Sequence, residues 1–251
     1  THDQSSAASD VYKRQGRAMA MALAEHGSQV VISSRKQDAC EETAAEINAA
    51  VGAERAIAIA CNIGYKEQLQ NLVDETRSRL GPIDTLIANA GVNPFYGPMS
   101  EIPDEAFDKT MNSNLRSNHW LCQMVAPDML AKQRGSIMIT ASVGAFGPSE
   151  TLGTYNISKM ADIALVRNLA MEWGPQGVRV NALCPGLIRT DFAKALWDNP
   201  EAAKRVTEQT PLRRFGEAED FKGIAVFAAS DASAYVTGQA LTVCGGTHMF
   251  R

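Results

Sequence analysis

The sequence predicts an α/β fold of the doubly wound class, a parallel sheet flanked by helices on both faces, with its first strand missing or replaced. Two observations lead there. From Gly16 onward, short β-branched runs alternate with longer stretches in which Ala, Leu and charged residues recur at helical spacing. Alternation of this kind builds a parallel sheet covered on both sides. The first fifteen residues, THDQSSAASDVYKRQ, break the pattern: only Val11 and Tyr12 are adjacent apolar residues, too few for a strand at the centre of a sheet.

In order, Gly16 to His26 reads as a helix with Met19, Ala22 and Leu23 on one face and Gly27 as its stop. Gln29 to Ser33 reads as a strand, Asp38 to Ala50 as a helix and Ala56 to Cys61 as a strand. A helix over Lys66 to Leu80 ends at Gly81-Pro82, and Ile83 to Ala88 is the next strand. A polar loop from Asn89 to Pro103 leads into helical sequence up to about Lys132, with Asn114 expected at the start of a long helix. Ser136 to Ala141 reads as a strand, Tyr155 to Trp173 as a helix and Val178 to Leu183 as a strand. Pro185 to Pro211 is expected to be irregular or lid-like, followed by a helix from Ala218 to Ala229 and a last strand from Ala240 to Val243. The expected division is a leader over residues 1–15, non-native or disordered, and a single domain over 16–251.

The charge balance excludes some classes of function. Lys and Arg total 24 against 28 Asp and Glu, a net charge of −4 over 251 residues, so no basic excess invites nucleic acid. With 45% hydrophobic and 21% charged residues the composition is that of a globular protein. No run of roughly 18 apolar residues offers a membrane span, and no signal-peptide layout opens the chain, so a cytoplasmic location is expected. The five cysteines, Cys40, Cys61, Cys122, Cys184 and Cys244, lie far apart without a C-x-x-C pair or a His at ligand spacing; no metal site is expected.

Chemistry concentrates around Tyr155-Asn156-Ile157-Ser158-Lys159, where the phenol and the ammonium fall at i and i+4 on one helical face. A free phenol titrates near about 10, and an adjacent cation favours the phenolate, which brings proton exchange toward neutral pH. Ser142 lies thirteen residues earlier, just past the C-terminal end of a strand, the edge at which parallel sheets bind ligands. Asn89-Ala90-Gly91 closes the preceding strand. Each of these residues alone also fits a cap, a turn or a surface pair.

Together they resemble the short-chain dehydrogenase/reductase family, whose fold is Rossmann-like, from Gly16 to Gly246. The matching pieces are Asn89-Ala90-Gly91, Asn114, Ser142, Tyr155-x-x-x-Lys159, Pro185-Gly186, Thr237-Gly238-Gln239 and Gly245-Gly246. The resemblance implies that Tyr155 is the general acid/base at the substrate oxygen and that Ser142 hydrogen-bonds that oxygen. Lys159 holds the nicotinamide ribose and lowers the Tyr pKa, and Asn114 anchors a water in the proton relay. It further implies cofactor contacts from Gly16, Asn62 (at the adenine), Asn89, Ala90, Gly91, Tyr155, Lys159, Pro185, Gly186, Ile188 and Thr190 (at the carboxamide). A homotetramer or homodimer is implied as well. The closest pattern is that of NADPH-dependent carbonyl reductases.

Cofactor choice is read at Ser33-Ser34-Arg35-Lys36, where the second strand of such folds ends. Two cations without a carboxylate favour NADP(H) over NAD(H), because Arg binds a 2′-phosphate bidentately. The family's glycine-rich turn survives only as Gly16, and Asp10 to Gln15 reads as a translated sequencing-adaptor sequence in place of the first strand. Weak cofactor binding is therefore expected of this chain. Asn93 to Gly97, Ala145 to Pro148 and Phe192 to Trp197 supply aromatic, mostly uncharged walls suited to a carbonyl or secondary alcohol with an apolar body. The alternatives are a non-catalytic or cofactor-deficient family member and, with less support, a nucleotide-sugar epimerase, which also uses Tyr-x-x-x-Lys but carries a longer C-terminal part.

Overall fold

The computed structural model describes residues 4–189 and 199–249, with the backbone alone for residues 4–13 and Ala202. Six parallel strands form two sheets. β1 (Val30–Ile32) pairs with β2 (Ala56–Ala58), while β3 (Thr85–Ala88), β4 (Gly135–Thr140), β5 (Val178–Pro185) and β6 (Ala240–Val243) lie side by side in that order. The registers set Val30 opposite Ala56, Thr85 opposite Ser136, Gly135 opposite Val178 and Ala182 opposite Ala240. β2 is shorter than expected, but its direction continues: the amides of Ile59 and Cys61 still donate to the carbonyls of Ile32 and Ser34.

The helices are α1 (Gln4–Glu25), α2 (Gln37–Val51), α3 (Lys66–Leu80), α4 (Asp104–Met111), α5 (Ser117–Lys132), α6 (Gly153–Trp173), α7 (Pro200–Gln209) and α8 (Lys222–Ala229). Strand period 2 sends alternate side chains to opposite faces. In β4, Ile137 and Ile139 enter one core with Leu69 of α3, Val125 and Met129 of α5, and Ile163 and Val166 of α6. Met138, between them, joins Met19 of α1 and Phe221, Ala225 and Ala228 on the other face. Leu23, Val30, Ala44, Ile47 and Ala56 form a third cluster where α1 and α2 cover the small sheet. A fully buried Ile contributes about 1.5–3 kcal/mol each.

Three expectations need correction. The helix expected from Gly16 begins at Gln4, so most of residues 1–15 lie within α1; it stops as expected at Gly27, whose φ of +89° suits a residue without Cβ. Asn114 is not at the start of a long helix: it sits in a π turn, Asn112–Arg116, that joins α4 to α5 and widens the helix by one residue. The region expected to be irregular from Pro185 contains α7, with Pro200 at its first position and the Asn199 side chain accepting from the Glu201 amide.

Candidate active site

The C-terminal end of β4, the first turns of α6 and the π turn meet at one place. Lys159, one turn after Tyr155, is fully buried; its Nζ donates to the Thr140 carbonyl at 2.8 Å and to Asp162 Oδ2 at 3.2 Å. The same Nζ lies 5.9 Å from the centroid of the half-buried Tyr155 ring, within reach of its π face. The i,i+4 spacing read from sequence therefore places cation and phenol together.

Asn114 is fully buried, and both its N–H donors and its oxygen are engaged locally. Its Oδ1 accepts from the Val92 amide at 2.8 Å, and its Nδ2 donates to the Val92 carbonyl at 3.0 Å and to Ser158 Oγ at 2.9 Å. Ser158 Oγ in turn donates to the Tyr155 carbonyl at 2.7 Å. Asn114 thus ties the chain after Asn89-Ala90-Gly91 to the helix that carries Tyr155. Its own carbonyl accepts from Asn118 Nδ2 at 2.5 Å, and that amide also donates to Asp162 Oδ1 at 2.9 Å.

Ser142 follows β4 and caps a short 3-10 turn, Val143–Phe146, its Oγ accepting from the Gly144 amide at 3.1 Å. The Phe146 ring, in that turn, stacks on His248 with centroids 4.4 Å apart, which brings the last strand's tail beside the Ser142 turn. A small cleft next to Tyr155 is lined by Phe95, Gly97, Met99, Thr151 and Leu152. Phe95 and Gly97 line this space, which at about 10 Å³ is the size of a water molecule, Ala145 to Pro148 do not, and Phe192 to Trp197 lie outside the described residues. A larger cleft of about 560 Å³ between Ile188, α7 and Thr242 to Met249 has none of Ser142, Tyr155 or Lys159 in its lining.

Of the expected cofactor residues, Asn89 Oδ1 accepts from Thr140 Oγ1 at 3.0 Å, which joins β3 to the strand whose carbonyl holds Lys159. Gly16 lies against Asn89: a Cβ added there would stand 3.0 Å from Asn89 Nδ2. Ser34 shares a hydrogen bond with Cys40 Sγ at 3.1 Å, and Arg35 beyond it is exposed to solvent. Asn62 Oδ1 accepts from the Gly64 amide, Ala90 is exposed and Gly91 buried. Pro185 ends β5, and a Cβ on Gly186 would come within 2.7 Å of Cys244 Cα, so only glycine lets the ends of β5 and β6 approach. Ile188 is buried and bridges to Gly216; Thr190 lies outside the described residues.

This arrangement suits a nicotinamide nucleotide unevenly. Lys159 and Tyr155 put a cation and a phenol side by side, groups able to meet a ribose and a reacting oxygen, and Arg35 is an exposed cation three residues after β1. The pyrophosphate cradle does not fit: an anion binds at a helix N-terminus through amides without intrahelical partners, and α1 runs through Gly16 from Gln4. Just before it, Gln15 is 1% exposed and its Oε1 has no hydrogen-bond partner, an unfavourable burial.

Sequence reasoning missed Thr140, Asn118 and Asp162. Asp162 alone carried a signal, a carboxylate three residues after Lys159 within the apolar run Ala161 to Ala164. Among the described residues no group of three or more His, Cys, Asp or Glu is arranged to hold a metal, and no helix is long and apolar enough to cross a membrane. All five cysteines are free; burial pushes the Cys61 thiol up to about 11 and those of Cys122 and Cys184 up to about 12.

Comparison with known proteins agrees with this geometry. Residues 15–248 match a family model described as "Enoyl-(Acyl carrier protein) reductase" of the short-chain alcohol dehydrogenase type. Dehydrogenase/reductase SDR family member 4 of Oryctolagus cuniculus is 38% identical over 231 residues, covering 92% of this chain and 88% of the relative; the Homo sapiens protein is 38% identical over 233 residues, covering 92% and 83%. Among solved structures, a gluconate 5-dehydrogenase from Burkholderia cenocepacia in complex with NADP and tartrate superposes with a TM-score of 0.87 at 30% identity, covering 93% of this chain and 90% of that one. An NAD+-bound xylitol dehydrogenase superposes with a TM-score of 0.86 at 27% identity, covering 93% and 94%. Matched over nearly its whole length, the chain belongs to the short-chain dehydrogenase/reductase family of oxidoreductases.

Proposed function

We propose that the chain is an NADP(H)-dependent reductase of carbonyl compounds, or a dehydrogenase of the matching secondary alcohols. The observation that carries this reading is the buried Lys159 ammonium 5.9 Å from the Tyr155 ring, beside a cleft walled by Phe95, Met99 and Leu152. The nicotinamide supplies the hydride when bound. The protein's own residues handle the proton: Tyr155 gives it to, or takes it from, the substrate oxygen. Lys159 biases the phenol toward ionisation, and Ser142 Oγ donates to that oxygen once it turns from its cap on Gly144. Asn114 holds the Val92 backbone and α6 in one register, which adds a positioning role to the water-anchoring role implied for it.

Preference for NADP(H) rests on Arg35 and Lys36, both exposed at the end of β1 with no carboxylate between them. The relatives give no uniform guide, since one neighbour holds NADP and another NAD+. A homotetramer or homodimer in the cytoplasm completes the reading. Ile157, Met160 and Met171 of α6 stay 45%, 41% and 81% exposed, as an apolar helix face awaiting a second subunit does. A cofactor-deficient protein is the second reading, favoured by the uninterrupted course of α1 through Gly16.

The test is consumption of NADPH and NADH over a panel of ketones, aldehydes and diketones, run on this chain and on a version with an apolar strand and glycine-rich turn ahead of Gly16. Slow turnover in the first, faster in the second and favouring NADPH in both is expected. Tyr155→Phe should lower the rate at least about 10²-fold. No turnover by either protein with either cofactor sinks the reductase reading.

A further inference from the structure

Lys159 is a cation with no access to water, and burial alone drives a lysine to release its proton. One turn further along α6 stands Asp162, also 0% exposed, with its Oδ2 accepting from Lys159 Nζ at 3.2 Å and its Oδ1 from Asn118 Nδ2 at 2.9 Å. Asn118 donates in addition to the Asn114 carbonyl. Side chains alone therefore link the π turn to Lys159, and through the Thr140 carbonyl to the end of β4, two residues before Ser142.

We infer that Asp162 is a positioning residue for the reaction, a buried counter-ion that keeps Lys159 charged and fixed beneath Tyr155. This rests on the reading of Tyr155 as the proton-transferring group. The groups facing the pair are Tyr155 on α6, Asn118 and Cys122 on α5, the Thr140 carbonyl of β4 and Cys184 of β5. Neither thiol supplies negative charge at neutral pH, because burial first, with Asp162 adding to it at both, pushes them up to about 12. Burial pushes the Asp162 carboxyl up as well, against the Lys159 charge and the Asn118 hydrogen bond, which pull it down. With one N–H donor on each oxygen, the acceptor-only carboxylate is the form this geometry satisfies. Asp162 lies seven residues along the helix from Tyr155, about 10 Å at 1.5 Å per residue, and Lys159 only four. The cation therefore dominates the potential at the phenol, and the anion acts by preserving it.

The test uses Asp162→Asn, which keeps the shape and removes the charge. The phenol of Tyr155 is titrated by ultraviolet difference against Tyr155→Phe in both backgrounds, a measurement that needs no turnover. Its midpoint should rise by about one pH unit or more in Asp162→Asn as Lys159 loses its proton, and kcat for alcohol oxidation at pH 7 should fall about tenfold with its acid limb shifted upward. A purely structural role would lower the melting temperature and leave the phenol titration in place; an unmoved or lowered midpoint overturns the inference. Should Asp162→Asn fail to fold, the side-chain NMR signal of Lys159 in the unaltered chain, assigned by its loss in Lys159→Arg, decides instead. It must keep its charged-form shift to pH 9, and titration below pH 8 overturns the inference. A chain that reduces no carbonyl with either cofactor defeats the reductase reading, while the phenol and lysine titrations still decide Asp162.

Discussion

The inner pair of strands in the four-stranded sheet and the two strands of the small sheet are built from similar residues and differ in how well they are enclosed. Every residue of β4 and all but one of β5 are buried, whereas β1 and β2 each bury only their first residue, β3 only its last and β6 none. β1 and β3 are the two strands that a central strand would separate, and each lacks a neighbour on that side. The polar groups are more evenly divided. Around Lys159, buried Asn114, Asn118, Thr140, Ser158 and Asp162 have partners, but Thr154 Oγ1 and Asn156 Oδ1 on either side of Tyr155 are buried without one among the described residues, as is Gln15 Oε1 in α1. The surroundings of Lys159 are held by β4, β5, α5 and α6, which close around one another. The proposed phosphate site would depend on a strand and turn whose place α1 occupies.

Stability should show this difference most strongly. Ile139→Ala, a fully buried site between α5 and α6, should cost about 2–5 kcal/mol by urea denaturation. Val31→Ala in half-buried β1 should cost about 1 kcal/mol, because less apolar area is lost and the site opens to solvent. Equal costs would show that the small sheet is as well enclosed as the large one.

Cofactor affinity probes the other side of the contrast. Placing an apolar strand and a glycine-rich turn ahead of Gly16 should tighten NADPH binding at least about tenfold, or about 1.4 kcal/mol, by freeing the first amides of the helix for the pyrophosphate. Melting of the catalytic half should change less than the affinity does. Equal NADPH affinity with and without the added segment would mean that α1 as it stands already serves the phosphates.

Local signals were the legible ones. The helix over Lys66 to Leu80 and the strand over Ala240 to Val243 have the bounds their patterns predict, and the Tyr155 and Lys159 pair followed from helical spacing alone. The apolar pattern that starts a helix at Gly16 does not reveal that the polar residues before it continue the same helix, since a polar stretch carries no apolar periodicity to read. The π turn at Asn114 was hidden because one extra residue per turn leaves hydrophobic periodicity nearly unchanged. α7 was readable in part from Asn199-Pro200, a cap followed by a proline at the first helical position. Asn118 and Thr140 were not, because their partners lie 44 and 51 residues away and nothing local marks them.

A last effect, of similar size, concerns the seam between the halves. α3, which leads from β2 to β3, is fastened to α5 by Asp128: its oxygens accept from Arg77 Nε at 3.1 and 3.0 Å and from the Ile83 amide at 3.0 Å, while Arg77 Nη2 donates to the Met124 carbonyl at 2.6 Å. Burial works against the ionised carboxyl, but the Arg77 and Ile83 hydrogen bonds and the nearby cations outweigh it, so the pKa lies below the usual carboxylate value. A carboxyl depressed in the folded state stabilises fully above its unfolded value, near about 3.9, and that contribution fades as pH falls through the folded value. Asp128→Asn, which can no longer accept at both positions, should therefore cost about 1–2 kcal/mol at pH 7. The gap between variant and parent should begin to close below about pH 4 and vanish once the parent's own carboxyl is protonated. Urea melts of both proteins from pH 7 to pH 3 measure this directly. A gap that stays constant across that range would show that Asp128 joins the halves by shape rather than by charge.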